Sequence, residues 1–350
     1  MSAAEEQVNK KEMPFLTIGI ASYNYSKYLE RALDQIKRQK FKDFEVLYCD
    51  DGSTDGSLEM IRKLIQENKD MNIRLISGKN IGIIGNKNRI LQNARGKYLM
   101  ICDADDYMLD DCLKALCEAA SKTNADCVIG GFGETDGAGH ILKRHIPAES
   151  SSKWLYTWHH AQIYKTEIVR KNGIYFDKIP DDVFFLQKIH FYSEKTVFVG
   201  QMLYLWERHS DSVSRDTVGH TEWVPDALWK EISDFIVRLK LLVTDNKDQV
   251  ELTYYLYKWF YFNICDLSID SRTNLIKKIR EMRGQMYTAI PDYRSFGRLK
   301  AIFGVKDTLF ARCAVSICWL MDVLGILWTA PMARTIQTKF RDRRSRSENV

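Results

Sequence analysis

The sequence has few of the residues that mark fibrous, low-complexity or disulfide-rich proteins. Only 6 prolines and 19 glycines occur in 350 residues. The 8 cysteines form no CxxC pair and lie mostly in apolar runs, so we expect buried, reduced thiols rather than zinc ligands. Residues 1–13 lack the apolar run of a secretory signal. These absences favour a folded protein in the reducing cytoplasm.

An excess of positive charge is also missing from most of the chain. Residues 334–350 hold six basic and two acidic side chains, so +4 of the formal net charge of +5 lies there. A nucleic-acid-binding surface would instead carry basic side chains spread over the fold. We therefore expect no nucleic-acid partner.

Short apolar runs alternate with segments of helical spacing in the first part of the chain. Runs that begin at Phe15, Phe44, Ile73 and Lys97 are each followed by such a segment. This alternation predicts an α/β fold with a mostly parallel sheet flanked by helices. A turn over 133–140 predicts two antiparallel strands, which makes the sheet mixed.

The pattern changes near residue 218, after which the spacing is helical almost throughout. We predict five regions: a disordered tail over 1–13, an α/β domain over 14–218, a helical region over 219–309, an apolar helix over 310–333 and a basic tail over 334–350. In the apolar helix, Asp322, Gly325 and Thr329 would form a narrow polar stripe. Two interpretations stay open, a core helix or a helix in the membrane interface whose basic tail is attracted to anionic lipids.

Two acidic clusters directly follow predicted strands. Asp50 and Asp51 begin one cluster, and the other runs from Asp103 to Asp106. Carboxylates on adjacent loops repel each other unless a cation or donor groups lie between them, and their oxygens suit Mg²⁺ or Mn²⁺. The alternative is helix capping, but two clusters at successive strand ends favour a metal and diphosphate site.

Other polar residues carry weaker signals. Lys87 and Arg89 begin a helix and could contact phosphate or form a solvated basic face. Asp181 and Asp182 precede an apolar helix, where one could cap and the other act as a general base. The pair at 159–160 is His-His without metal-ligand spacing, which predicts structural or surface residues.

Taken together, the motifs resemble the family 2 glycosyltransferases of the GT-A fold from about Pro14 to Arg215. The matching motifs are Ser22-Tyr23-Asn24, Asp50-Asp51-Gly52-Ser53, Asn80-x-Gly82, Lys87-Asn88 and Asp103-x-Asp105-Asp106. The resemblance implies inverting transfer of a sugar from a nucleotide diphosphate donor, usually a UDP-sugar, with Mn²⁺ or Mg²⁺. It also implies a glycan or polyprenyl-linked acceptor, cell-surface polysaccharide synthesis, and a cytoplasmic location that could include the inner membrane face.

The resemblance also assigns residues to the donor and the metal. Tyr23 and Asp51 would hold the uracil and Asp103 the ribose. Asp105, with Asp103, would bind the metal between the two phosphates, and Asp106 would do so if the register shifts by one.

Three further roles concern the reaction itself. Lys87 stands where the family more often has Arg and would contact phosphate. Asp182 would be the catalytic base, with Asp181 in place of the family's Glu as the alternative. His209 would add a metal ligand. In this scheme the region over 219–309 binds the acceptor or packs on the catalytic domain.

Two other functions remain as alternatives. One is a nucleotide-sugar or glycan-binding protein that has lost catalysis. The other is a nucleotidyltransferase, which the absence of glycine from residues 22–27 disfavours.

Overall fold

A computed structural model of the chain describes residues 4–6, 13–136, 138–177, 181–208, 226–266, 271–291, 293–295 and 305–331. The chain divides into two compact units, Met1–His209 and Ser210–Val350. The division falls at His209, whereas the sequence pattern placed a boundary near 218.

The first unit is built on a sheet of ten strands. The strands are β1 (Ala4–Glu6), β2 (Leu16–Ser22), β3 (Phe44–Asp50), β4 (Ile73–Ser77), β5 (Tyr98–Cys102), β6 (Tyr107–Met108), β7 (Cys127–Thr135), β8 (Ile141–His145), β9 (Gln162–Lys165) and β10 (Thr196–Glu207). Their order is β1-β4-β3-β2-β5-β9-β7-β10-β6, with β8 beside β7. The strands β2 to β5 are parallel to one another, as are β7 and β10, and the other pairs are antiparallel. The predicted mixed sheet is confirmed, and β1 forms a strand within the segment predicted to be a disordered tail.

Helices pack on both faces of this sheet. They are α1 (Ser26–Arg38), α2 (Ser57–Glu67), α3 (Gly82–Asn93), α4 (Cys112–Thr123), α5 (Thr166–Lys171) and α6 (Asp181–Tyr192), with a 3-10 turn at Lys153–Leu155. Residues of α1, α2 and α4 share one buried cluster with Ile18, and residues of α3, α5 and α6 share another with Leu47. A Cβ on Gly19 would lie 2.2 Å from Ile90 Cγ2, so glycine at this position lets α3 approach β2.

The register of the parallel strands brings the acidic loops together. Ser22 pairs with Asp50 across β2 and β3, and Ile20 pairs with Cys102 across β2 and β5. The loops that follow β2, β3 and β5 therefore leave one edge of the sheet side by side, where α/β proteins bind ligands.

The second unit is helical in its described part, as predicted. It contains α7 (Asp226–Leu242), α8 (Asn246–Asp266), α9 (Arg272–Ala289), α10 (Leu309–Val323) and a 3-10 turn at Leu327–Thr329. The apolar helix ends at Val323 rather than near residue 333, because Gly325 adopts a left-handed φ of 76°. None of the helices in the described ranges combines the length and hydrophobicity needed to cross a membrane.

The predicted polar stripe of this helix is wrong for Asp322. Asp322 is fully buried, and its Oδ1 accepts a hydrogen bond from Arg283 Nε at 2.6 Å. The face that α10 exposes is apolar instead. The cysteine prediction is confirmed for most positions: within the described chain all are free thiols, and only Cys265 and Cys313 are not buried.

Candidate active site

The loops after β2 and β3 hold each other in place. Asp50 accepts hydrogen bonds from the Ser53 backbone N–H at 3.1 Å and from Ser53 Oγ at 2.6 Å. The Asn24 N–H donates to Ser53 Oγ at 3.0 Å, and Asn24 Oδ1 accepts from the Thr54 N–H at 2.9 Å. Asn24 adopts a φ of 56°, which asparagine tolerates better than most residues. Tyr23, in this joined loop, is exposed.

Asp51 connects the loop after β3 to the start of α3. Its Oδ1 accepts hydrogen bonds from the Ile81 N–H at 2.9 Å and from Arg89 Nη1 at 3.2 Å, and the residue is buried. Arg89 Nη2 also donates to the Lys79 carbonyl at 2.7 Å. Arg89 is thus bound to protein groups of these loops.

Lys87 and Asp182 meet although they lie on different helices. Lys87 Nζ is 3.4 Å from Asp182 Oδ1, and the lysine side chain is nearly fully buried. Lys87 is on α3, and Asp182 is the second residue of α6. The residue predicted to contact phosphate and the predicted base are therefore neighbours in the fold.

His159 joins Asp182 to Asp103. His159 Nε2 is 3.0 Å from Asp103 Oδ2, and His159 Nδ1 is 2.8 Å from Asp182 Oδ2. The histidine is buried, whereas a third of the Asp103 side chain is exposed. One imidazole thus contacts the first acid of the Asp103–Asp106 cluster and the predicted base.

The acidic and basic side chains of this group stabilise one another's charged forms. Burial by itself would lower the pKa of His159, but the carboxylates of Asp182 and Asp103 raise that pKa to about 10. Burial would raise the pKa of Asp103 and of Asp182, but His159 and Lys87 outweigh burial and lower both below the ordinary range. At neutral pH, and without a bound cation, the group is an imidazolium ion between two carboxylates. A cation bound by His159 would have to displace one of its ring protons, because only the neutral imidazole has a lone pair to offer.

Asp106 and His160, each close in sequence to a member of this group, have pKa shifts in the opposite directions. Burial, with the charges of Asp103 and Asp105, raises the pKa of Asp106 well above its ordinary value. Burial and the charge of His159 lower the pKa of His160 to about 3, so His160 is a neutral imidazole. Asp106 Oδ2 and His160 Nδ1 lie 3.5 Å apart, and both are buried without a hydrogen-bond partner in the described part of the chain.

These residues fit a divalent cation. Asp103, His159 and His160 each offer a ligand atom, and the three atoms lie within 4.8 Å of one another. The unpartnered atoms of His160 and Asp106 are a second sign, because buried polar atoms are normally satisfied. A mixed carboxylate and imidazole set suits Mn²⁺ at least as well as Mg²⁺.

The structure does not bring every predicted residue to this group. Asp105 is only partly buried and does not belong to the cluster of possible metal ligands. Its backbone carbonyl accepts a hydrogen bond from the guanidinium of Arg31, which holds the loop after β5. Asp181 begins α6, but its side chain lies outside the described residues, and so does the whole of His209.

His159 and His160 are the functional residues that the sequence analysis missed. We predicted structural or surface residues, whereas both are buried among the acidic residues of the site. Their position beside the acidic residues comes from the fold, since β9, which follows them directly, pairs with β5 and β7. Ala161, directly after them, has a φ of 51°, a strained conformation for alanine that is typical of functional sites.

A family model and several known proteins match this chain. Residues 17–191, half of the chain, match the model of glycosyl transferase family 2. Glycosyltransferase GlyG of Streptococcus pneumoniae is 25% identical over 246 residues, which cover 63% of this chain and 81% of GlyG. The Staphylococcus aureus poly(ribitol-phosphate) beta-N-acetylglucosaminyltransferase TarS is 24% identical over 292 residues, which cover 78% of this chain and 48% of TarS. The chain spans 31% of a further relative, glycosyltransferase GlyA of Streptococcus pneumoniae.

Solved structures show the same fold. S. aureus TarS 1–349 in complex with UDP superposes with a TM-score of 0.61 at 17% identity, covering 92% of this chain and 91% of that one. The mannosyltransferase PcManGT from Pyrobaculum calidifontis, in complex with GDP-Man and Mn²⁺, gives a TM-score of 0.53 at 14% identity, covering 93% and 86%. The fold is thus the GT-A fold of glycosyltransferases. Because the family match covers half of the chain and the site carries the matching motifs, the chain belongs to glycosyl transferase family 2.

Proposed function

We propose that the chain is a metal-dependent, inverting glycosyltransferase of the cytoplasm. It would move a sugar from a nucleotide diphosphate donor, a UDP-sugar, to a hydroxyl of a glycan or polyprenyl-linked acceptor in cell-surface polysaccharide synthesis. The observation that carries this proposal is the convergence of Asp103 and Asp182 on His159, at 3.0 and 2.8 Å. UDP and UDP-GlcNAc in the TarS structures support the donor class.

Asp182 is the carboxylate that would take the proton of the acceptor. The acceptor oxygen attacks the anomeric carbon from the face opposite the diphosphate, its proton passes to Asp182, and the bond from that carbon to the diphosphate oxygen breaks. A diphosphate leaves well once its charge is neutralised, so the second carboxyl of a glycosidase is not needed. In the ligand-free protein Lys87 and His159 lower the pKa of Asp182, and a diphosphate that attracts Lys87 would make the carboxylate more basic.

The donor would lie across the loops after β2, β3 and β5. Tyr23 would stack on the uracil, Asp51 would accept from it, and Lys87 would neutralise a phosphate oxygen. A bound Mn²⁺ or Mg²⁺ would neutralise charge on the leaving diphosphate.

The metal ligands of this proposal come from two segments. Asp103, His159 and His160 would hold the ion, since their ligand atoms lie within 4.8 Å of one another. Asp105, Asp106 and His209 stay predicted ligands, and Asp181 stays the alternative base.

The test is UDP release from a panel of UDP-sugars with Mn²⁺. We expect turnover by the wild type, its loss on adding EDTA, and a fall of about 100-fold or more in Asp182→Asn with UDP binding retained. Asp177→Asn is the matched control, because Asp177 is an exposed acid paired with Lys188 at 3.0 Å and is expected to leave the rate unchanged.

Two results would count against this function. Equal rates for Asp182→Asn and the wild type would remove Asp182 as the base. UDP binding without turnover of any nucleotide sugar would favour the binding protein that has lost catalysis.

A further inference from the structure

The helix α10 exposes a stripe of apolar side chains. Exposed fractions run from 48% for Leu320 to 74% for Phe310, with Ile317 and Leu324 between them. Cys313 is exposed as well. Phe310, Cys313, Ile317, Leu320 and Leu324 recur at three- and four-residue steps, so they share one side of the helix. We call these five residues the α10 stripe.

Buried polar contacts hold α10 with this stripe outward. Asp322 accepts hydrogen bonds from Arg283 Nε at 2.6 Å and from the Tyr293 hydroxyl at 2.8 Å. Trp319 Nε1 donates to the Tyr293 carbonyl at 3.0 Å. A rotation that buried Leu320 would break these contacts and leave the charge of Arg283 without its partner. The exposure of the stripe is therefore a property of the packed helix.

Positive charge follows the stripe along the chain. The described part of this unit ends at Pro331, and residues 334–350 add six basic and two acidic side chains. Lys306, just before the helix, is exposed too. An exposed apolar helix face next to a cationic segment is the combination that binds anionic membrane surfaces.

We propose that the α10 stripe docks this protein on an anionic lipid surface, to which the net positive charge of residues 334–350 adds electrostatic attraction. The stripe offers aliphatic and aromatic side chains and no charged group, which suits the acyl boundary of a bilayer. None of the described helices is long and apolar enough to span, so the contact would be peripheral. A second copy of the chain is the alternative occupant, and the oligomeric state of the protein in solution distinguishes it from a lipid surface.

Vesicle flotation of the full chain tests this proposal without donor or acceptor, so its outcome is independent of the proposed transferase activity. We expect the wild type to float with phosphatidylcholine vesicles that contain phosphatidylglycerol, and only weakly with pure phosphatidylcholine. Ile317→Ser with Leu320→Ser should reduce the bound fraction about tenfold. Arg341→Ser with Arg343→Ser and Arg344→Ser should remove the preference for the anionic vesicles.

Leu142→Ser is the matched control, because Leu142 is an exposed leucine of β8. We expect it to float like the wild type, and circular dichroism would confirm that each variant is folded. The proposal is overturned if the stripe variant floats as well as Leu142→Ser, or if only the tail variant loses binding. It is equally overturned if the wild type is a dimer in light scattering and the stripe variant is a monomer, since a second copy would then cover the stripe.

Discussion

The imidazole of His159 lies between two carboxylates that come from separate loops. Asp103 follows β5, whereas Asp182 is the second residue of α6. The two acids lie far apart in the sequence, so their spacing does not indicate that they are neighbours in the fold. Asp103, Lys87 and Asp182 could be proposed as site residues from motifs, because a motif is local in the sequence. The histidine could not, because its role depends on which strands are neighbours.

Removing His159 should change how stability depends on pH. Its pKa is raised from 6.5 to about 10 in the folded protein, so its contribution to stability is complete below pH 6.5 and is lost as the pH rises through 10. We expect the melting temperature of the metal-free wild type to fall by about 5 °C over this range through this group. In His159→Gln that part of the slope should be absent.

The measurement is thermal unfolding in EDTA across the same pH range. His140→Gln is the control, because His140 is exposed on the turn between β7 and β8. A slope in His159→Gln equal to that of the wild type would show that the imidazole is not charged between the two acids.

The helix α10 is held by a buried ion pair rather than by its apolar residues alone. The wrong prediction for this element came from treating Asp322 as a solvent-facing residue, since acids in amphipathic patterns usually are. Arg283 on α9 and Tyr293 supply partners that the helical spacing of residues 310–333 does not reveal.

Asp322→Ala should destabilise the second unit by about 3 kcal/mol, because it leaves Arg283 without its buried partner. Urea unfolding followed by tryptophan fluorescence measures the change, since Trp319 is buried on the same helix. Glu118→Ala removes the exposed pair with Lys122 on α4 and should leave the midpoint unchanged. Equal midpoints for the two variants would show that the ion pair does not hold α10.

The proposed donor site and the α10 stripe belong to different compact units. The described residues of the proposed donor site, which are Tyr23, Asp51, Lys87, Asp103, His159 and Asp182, all belong to the first unit. The buried ion pair and the α10 stripe belong to the second. Damage to the second unit should therefore leave nucleotide binding intact.

Calorimetric titration with UDP and Mn²⁺ checks this division. We expect the Kd of Asp322→Ala to stay within about twofold of the wild type and that of Asp51→Ala to rise about tenfold, which is the loss of one hydrogen bond to a charged group. A Kd that rises equally in both variants would contradict the division of function between the units.

Apolar spacing, turn residues and acidic clusters were enough to predict the α/β alternation, the mixed sheet, the helical second part and the acidic strand ends. These features depend on neighbours along the chain, which a sequence displays directly. The partners of Asp103, Asp182 and Asp322 depend instead on contacts between distant segments. Strand order placed His159 and His160 among the acids, and helix packing buried Asp322 while leaving Leu320 exposed. Such contacts form only when the chain folds, because burial and charge pairing are properties of three-dimensional neighbours.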